Sequence, residues 1–223
     1  GVGYFVNQDG SGHLHTASLM GQLLMDNSAV AEFYRFNSIS VPNSSGHWVL
    51  LALLQFFSPF TVTKIFVTLS FAMFVAGAGW LRLQIAGRDG LTTSLLIGAA
   101  MGFNWLWLVG FYNFTIGVIG LMFVIGYFYP RCKRIEIIDT VLLSLMLTLA
   151  YFSHIIAFLA LACSIFFIIL FTPGVPKIRT LLFAAIALLP VVPLALRFRS
   201  VGVGSSGFSP GWRRLSVPYY VTG

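Results

Sequence analysis

From residue 60 to residue 196 the chain alternates long apolar runs with short polar connections that carry most of the Lys and Arg of this region. Runs at 60–81, 91–109, 111–129 and 180–196 are each close to the roughly 20 residues that a helix needs to cross the hydrocarbon core of a bilayer. The stretch 135–171 is too long for one such helix and fits a hairpin, with its natural bend at Tyr151-Phe152-Ser153-His154. No run shows the alternation of period two that marks a barrel strand. The pattern predicts an all-α, polytopic transmembrane helical bundle of about six membrane helices.

Ahead of the first span the pattern is weaker. Residues 12–36 have an apolar face (Leu14, Ala17, Met20, Leu23, Leu24) diluted by Thr16, Ser18, Gln22 and Asp26, which suits an amphipathic helix lying in the membrane interface, or two short ones broken near Asn27-Ser28. A turn-rich loop with Pro42 and Asn43 follows. The run 47–58 reaches only about 18 Å at 1.5 Å per residue, short of the ~30 Å core, and is expected not to cross alone. The expected organisation is therefore 1–46 as an outer loop with amphipathic helices, 47–199 as the transmembrane bundle and 200–223 as the start of a further outer loop.

Composition agrees with this pattern. The 223 residues are 58% hydrophobic and only 9% charged, whereas roughly a quarter of the residues of a soluble domain are charged. The net charge of +7 would suggest nucleic acid in a soluble protein. Here the cations cluster between apolar runs, where they set orientation, so no nucleic-acid partner is expected and membrane lipids are. Placing the loops with Arg82/Arg88, Arg131/Lys133/Arg134 and Lys177/Arg179 in the cytoplasm lets successive spans alternate without contradiction. The N-terminal segment, the 105–113 turn, the Ser153-His154 bend and the tail from Arg197 then share the other face. Cys132 and Cys163 have no metal-ligand spacing and read as free thiols. The chain opens without a signal peptide or an initiator Met and stops in a loop, and is expected to be a fragment of a longer protein.

Against this apolar background a few polar residues carry the candidate chemistry. In Asp9-Gly10-Ser11-Gly12-His13 the carboxylate and the imidazole are i and i+4 and share a face if a helix begins there, with His15 turned roughly opposite. Such a pair can act as a general base or supply two metal ligands, and Asp9 can equally cap the helix. Asn113, just inside an apolar run, and His154, inside the longest one, are expensive to bury without partners and are candidates for contact with a sugar or phosphate oxygen. His47 heads an apolar helix and reads as an interfacial cap. Arg197 and Arg199, with Arg213 and Arg214 further on, can pair with phosphate or with lipid headgroups.

The order of these features resembles the GT-C membrane glycosyltransferases: Asp9 in a first outer loop, amphipathic helices, Pro42-Asn43 before a short His47-Trp48 helix, Lys64 near the start of the next helix, then an Arg-bearing loop. It is most similar to uncharacterised bacterial members with an Asp-Gly-x-x-His segment, a Phe-Tyr-Asn-Phe turn (Phe111 to Phe114) and a Tyr-Phe-Ser-His bend (Tyr151 to His154). The resemblance covers most of residues 4–200. It implies a GT-C-like bundle in the bacterial inner membrane and transfer of sugar from a polyprenyl-phosphate donor to an acceptor on the non-cytoplasmic face. Asp9 and His13 would be catalytic, Asn113, His154, Arg197 and Arg199 would bind substrate, and a divalent metal ion at Asp9 and His13 is a possible cofactor. The family's second outer acidic residue has no counterpart, since the 104–113 turn carries amides. The alternatives are a lipid or polysaccharide transporter component and a catalytically inactive membrane assembly partner.

Overall fold

The structure is a computed structural model that describes residues 9–26, 28–36, 41–104, 108–204 and 221–222. It is helical apart from a two-residue antiparallel pairing of β1 (Arg35–Phe36) with β2 (Val221–Thr222). The helices in chain order are α1 (Gly10–Leu24), α2 (Ser28–Ala31), α3 (Ser45–Leu54), α4 (Pro59–Ala86), α5 (Leu91–Gly102), α6 (Tyr112–Arg131), α7 (Ile137–Ser153), α8 (Ile155–Phe171), α9 (Lys177–Leu188) and α10 (Val191–Gly204).

Among the described residues two helices, α4 and α6, are long and apolar enough to cross a membrane, and α9 with the first part of α10 makes a third if that pair, bent by 53°, counts as one span. Local chemistry explains where these helices begin and end. Ser58 caps α4, its hydroxyl accepting from the Thr61 N–H, and Pro59 fills the first helical position, where its missing N–H costs nothing. The helix then runs past the expected end at 81, because Arg82 and Gln84 are good helix formers, and stops at Gly87, whose φ of 69° suits glycine.

The expected span 180–196 is instead broken at Pro190, which has no N–H to continue the ladder. The expected span 91–109 is shorter still: α5 ends at Gly102, and the Asn104 amide donates back to the Met101 carbonyl (2.9 Å). The hairpin 135–171 is present as α7 and α8, 17 residues each, broken at His154. The expected break near Asn27-Ser28 separates α1 from α2.

Helix contacts fix the directions. Phe66 of α4 packs on Tyr112 at the start of α6 (ring centroids 4.5 Å apart), Gly77 lies against Met122, and the Trp80 indole donates to the Phe123 carbonyl (3.2 Å), so α4 and α6 run side by side in the same sense. Helix α5 returns antiparallel along α4, with Leu95 at Gly79 and Gly102 at Phe71. A Cβ on Gly98 would sit 2.8 Å from that of Ala78. Small residues give such close backbone approach where apolar burial does not separate helix from lipid. Leu145, Leu149, Ile156, Phe166 and Phe167 face outward from the bundle.

These directions bring the basic connections to one end. Gln84 lies at the level of Gly126, and the turn carrying Arg88 follows just beyond it, tied back to α4 by Arg82 Nε donating to the Asp89 carbonyl (2.6 Å). The Thr180 hydroxyl donates to the Cys132 carbonyl (3.0 Å) and Arg179 Nη2 to the Ile135 carbonyl (3.1 Å), which joins the other two basic loops. Asp139 organises this end by accepting from the Tyr127 hydroxyl (2.8 Å) and from the Glu136 N–H (3.0 Å), and it pairs with Arg131 (3.3 Å).

The core has two parts. One fills α6 to α9 around Phe128, Leu143, Leu147, Tyr151 and Leu161. The other, at the end away from the basic loops, packs α1 and α3 onto α4 and α6 through Ala17, Met20, Leu50, Val62, Phe66 and Tyr112.

Candidate functional site

At that second end the turn before α3 acts as a clasp. Asn43 takes up φ of 65°, a left-handed conformation that asparagine tolerates better than most residues. Its carbonyl accepts from Asn113 Nδ2 (2.6 Å), and its side-chain Oδ1 accepts from the Ile155 N–H (3.3 Å). The Ser44 N–H donates to the Phe152 carbonyl (2.8 Å), and the Gly46 N–H to Asn113 Oδ1 (2.7 Å). These bonds explain the break between α7 and α8. The N–H groups freed there are satisfied by Asn43 and by His154, whose Nδ1 accepts from the Ile156 N–H (3.3 Å).

The clasp walls a cleft of about 380 Å³ lined by Asp9, His13, Asn43, His47, Asn113 and His154, with Phe111 and Phe114 as apolar surfaces. That volume lies within the roughly 300–1,000 Å³ of small-molecule sites. A larger groove of about 920 Å³ runs along α9 at the basic end, but its lining is apolar apart from Lys177 and Arg179, whereas the cleft gathers convergent polar groups.

Asp9 immediately precedes α1, held by its N–H donating to the Val109 carbonyl (2.8 Å), and its carboxylate makes no capping bond. His13 lies one turn on, its ring stacked on Tyr112 (5.4 Å) and its Nδ1 2.8 Å from Nε2 of His47. His47 is 1% exposed. Burial, and secondarily the neighbouring His13, push its pKa down to about 3, with the backbone carbonyls of Asn43 and Ser44 acting the other way. Burial also lowers the pKa of His13, partly offset by the Asp9 charge. Both rings are therefore neutral near pH 7.

The structure thus brings Asp9, His13, Asn113 and His154 together in one cleft, although they lie far apart in sequence. His15 faces away, exposed. The amide of Asn113 is engaged by Gly46 and Asn43, so its role here is to hold the clasp. Arg197 is exposed at the cleft-bearing end, on the helix whose Phe198 packs against the second core, and is not among the residues lining the cleft. The side chain of Arg199, and the whole of Arg213 and Arg214, lie outside the described residues. Sequence reasoning missed His47 and Asn43 as members of the site. The cue available for His47 was a second imidazole at the head of a helix too short to span.

Among the described residues no third His, Cys, Asp or Glu joins Asp9 and His13 in a metal-ligating group, so this donor pair falls short of the three protein ligands usual in a catalytic zinc centre. No protein-family model, curated protein or solved structure matches the chain.

What remains is a set of open valences. The Asp9 carboxylate, His13 Nε2 and His154 Nε2 have no hydrogen-bond partner among the described residues. They are not sealed either: among the described residues the buried polar side-chain atoms without partners are Ser45 Oγ and Tyr151 OH. In a chain this apolar, a carboxylate and two ring nitrogens that line one cleft are groups that a small polar molecule could engage.

Proposed function

We propose that the chain is an integral membrane glycosyltransferase that moves a sugar from a polyprenyl-phosphate donor to an acceptor hydroxyl in this cleft, on the non-cytoplasmic face of a bacterial inner membrane. The observation that carries the reading is the convergence of Asp9, His13 and His154, with open valences, in one cleft at the end opposite the basic loops. The excess of Lys and Arg in short connections supports a cytoplasmic basic end, which on this reading turns the cleft outward.

The chemistry needs a base and a group that stabilises the leaving phosphate. The Asp9–His13 pair removes the acceptor proton as the acceptor oxygen bonds to the anomeric carbon. The bond from that carbon to the phosphate oxygen breaks, and polyprenyl phosphate leaves with the electron pair. His154 accepts at Nδ1 from Ile156, so its neutral ring carries a proton on Nε2, and this N–H donates to the departing oxygen. Phe111 and Phe114 offer apolar surface to the sugar or to the isoprenoid.

A second reading is a binding protein without turnover, favoured by Asp9 being the one carboxylate among the cleft's lining residues. The experiment is sugar transfer by the purified protein in liposomes containing polyprenyl-phosphate sugars. Labelled product is expected, with a loss on the order of 10²-fold or more in Asp9→Asn. Transfer unaffected by Asp9→Asn removes Asp9 from the mechanism. Donor binding without product supports the binding reading, and flux without a covalent product supports a transporter.

A further inference from the structure

The imidazole pair has a polarity that its surroundings dictate. The nitrogen of His47 remote from His13 is Nδ1, and the backbone carbonyls of Asn43 and Ser44 accept from that ring. With Nε2 turned to His13 at 2.8 Å, Nδ1 is the nitrogen left to donate to these acceptors, and because a carbonyl only accepts, Nδ1 then carries the proton and Nε2 presents its lone pair. That lone pair lies 2.8 Å from His13 Nδ1, which must then be the donor. With Nδ1 protonated, the neutral ring of His13 has its lone pair on Nε2, the nitrogen that has no partner among the described residues.

We propose that His47 is a positioning residue: by accepting a hydrogen bond from His13 Nδ1–H it holds His13 in the Nδ1–H tautomer, with Nε2 open to the cleft as the proton acceptor. The identity of the proton's source, an acceptor hydroxyl, rests on the function proposed above. The polarity of the pair does not.

The arrangement specifies which atom of the Asp9–His13 pair takes the proton. A proton removed from an acceptor O–H goes to His13 Nε2, and the hydroxyl's electron pair forms the new bond. The imidazolium so formed keeps its Nδ1–H donation to His47 and faces the Asp9 carboxylate, whose field favours the charged ring. Among the described residues, Tyr112 stacks on His13 and His154 lines the same cleft. His47, 1% exposed and held between His13 and two carbonyls, does not itself reach substrate.

The test needs no variant at its first step. In protein carrying ¹⁵N-labelled histidine, in lipid nanodiscs at pH 7.5, long-range ¹H–¹⁵N correlation reads each tautomer. Nδ1–H with a bare Nε2 is expected for both His13 and His47, and an Nε2–H form of His13 in the unaltered protein overturns the proposal. His47→Gln offers a side-chain carbonyl in place of the lone pair and is expected to keep the His13 tautomer, whereas His47→Phe removes the acceptor and is expected to release it. A His13 tautomer unchanged in a folded His47→Phe protein also overturns the proposal.

In the transfer assay His47→Phe is expected to lose roughly 10²–10⁴-fold, the range of a positioned base, with His47→Gln recovering most of it. Equal transfer by the unaltered and His47→Phe proteins sinks the positioning role. The Nδ1–H pattern in a protein that transfers no sugar leaves the positioning in place and removes the reaction assigned to the cleft.

Discussion

Acid should weaken this fold through His47 before any carboxylate titrates. The folded-state pKa of about 3 lies well below the ordinary 6.5, so the unfolded chain binds a proton that the folded chain refuses. Stability from this group is complete above pH 6.5 and is lost as pH falls toward the folded value. At pH 5 an unfolded-state imidazole of pKa 6.5 is protonated about thirtyfold over its neutral form, which favours unfolding by about 2 kcal/mol relative to pH 7.5. His13, also pushed down by burial, adds to the loss in the same direction. The assay is unfolding of the purified protein in nanodiscs at pH 7.5, 6.5, 5.8 and 5.0, a window in which ordinary carboxylates stay mostly ionised. His47→Gln keeps a hydrogen-bonding side chain but does not titrate, so its acid loss should shrink to what His13 supplies. Equal losses in the unaltered and His47→Gln proteins would refute the assignment of this linkage to His47.

The clasp and the basic end give further expectations. Asn113→Ala removes both bonds that hold the turn before α3 and should cost about 2–4 kcal/mol in unfolding measurements, with faster proteolysis near residues 41–46. Gly46→Ala places a methyl 2.7 Å from Asn113 Oδ1 and should cost about 1–3 kcal/mol by displacing that amide. Asp9→Asn, whose side chain makes no capping bond, should change stability by less than about 0.5 kcal/mol. It should lower the His13 pKa further, because the Asp9 charge raises it; an NMR titration showing a rise would contradict this. Asp139→Asn weakens the ion pair to Arg131 and half of a capping box, should cost about 1 kcal/mol, and should leave the His13 and His47 resonances unmoved.

What the sequence made legible follows from what apolar patterning encodes. Helix α4 is readable because a continuous apolar run lies behind a Ser-Pro start, and the break at His154 is readable because Ser153 and His154 interrupt the longest run. Where helices end is less legible. Apolarity does not reveal where a helix stops within an apolar run, so 91–109 read as one span although the helix ends at Gly102 and the Asn104 side chain folds back on it. In the site, Asp9, His13, Asn113 and His154 stand out because each is polar where its neighbours are not. His47 does not, because a polar residue at the head of an interfacial helix already has a sufficient reason to be there. Its partner is 34 positions away, and their meeting depends on α1 packing against α3, which neither segment's pattern reveals. Arg197 shows a different limit, since charge alone said nothing about whether it would line the cleft, and it is not among the lining residues.

The choice of two imidazoles and one carboxylate also fits the medium. A base at the rim of an apolar bundle must survive desolvation in its resting state, and a carboxylate buried as deeply as His47 would have to be neutralised or matched by a cation. A neutral imidazole needs only hydrogen bonds, which two backbone carbonyls and a second ring supply here. In the proposed reaction the charge appears only when a proton arrives, on His13, the less buried of the two rings and the one within the field of Asp9. Placing the carboxylate at the half-buried position and the neutral acceptor at the fully buried one avoids a standing buried charge while keeping an attraction for the transient one. Exchanging the two, with Asp at 47 and His at 9, would keep the composition and reverse that logic: the buried carboxyl would be held protonated and the pair would lose its base at neutral pH.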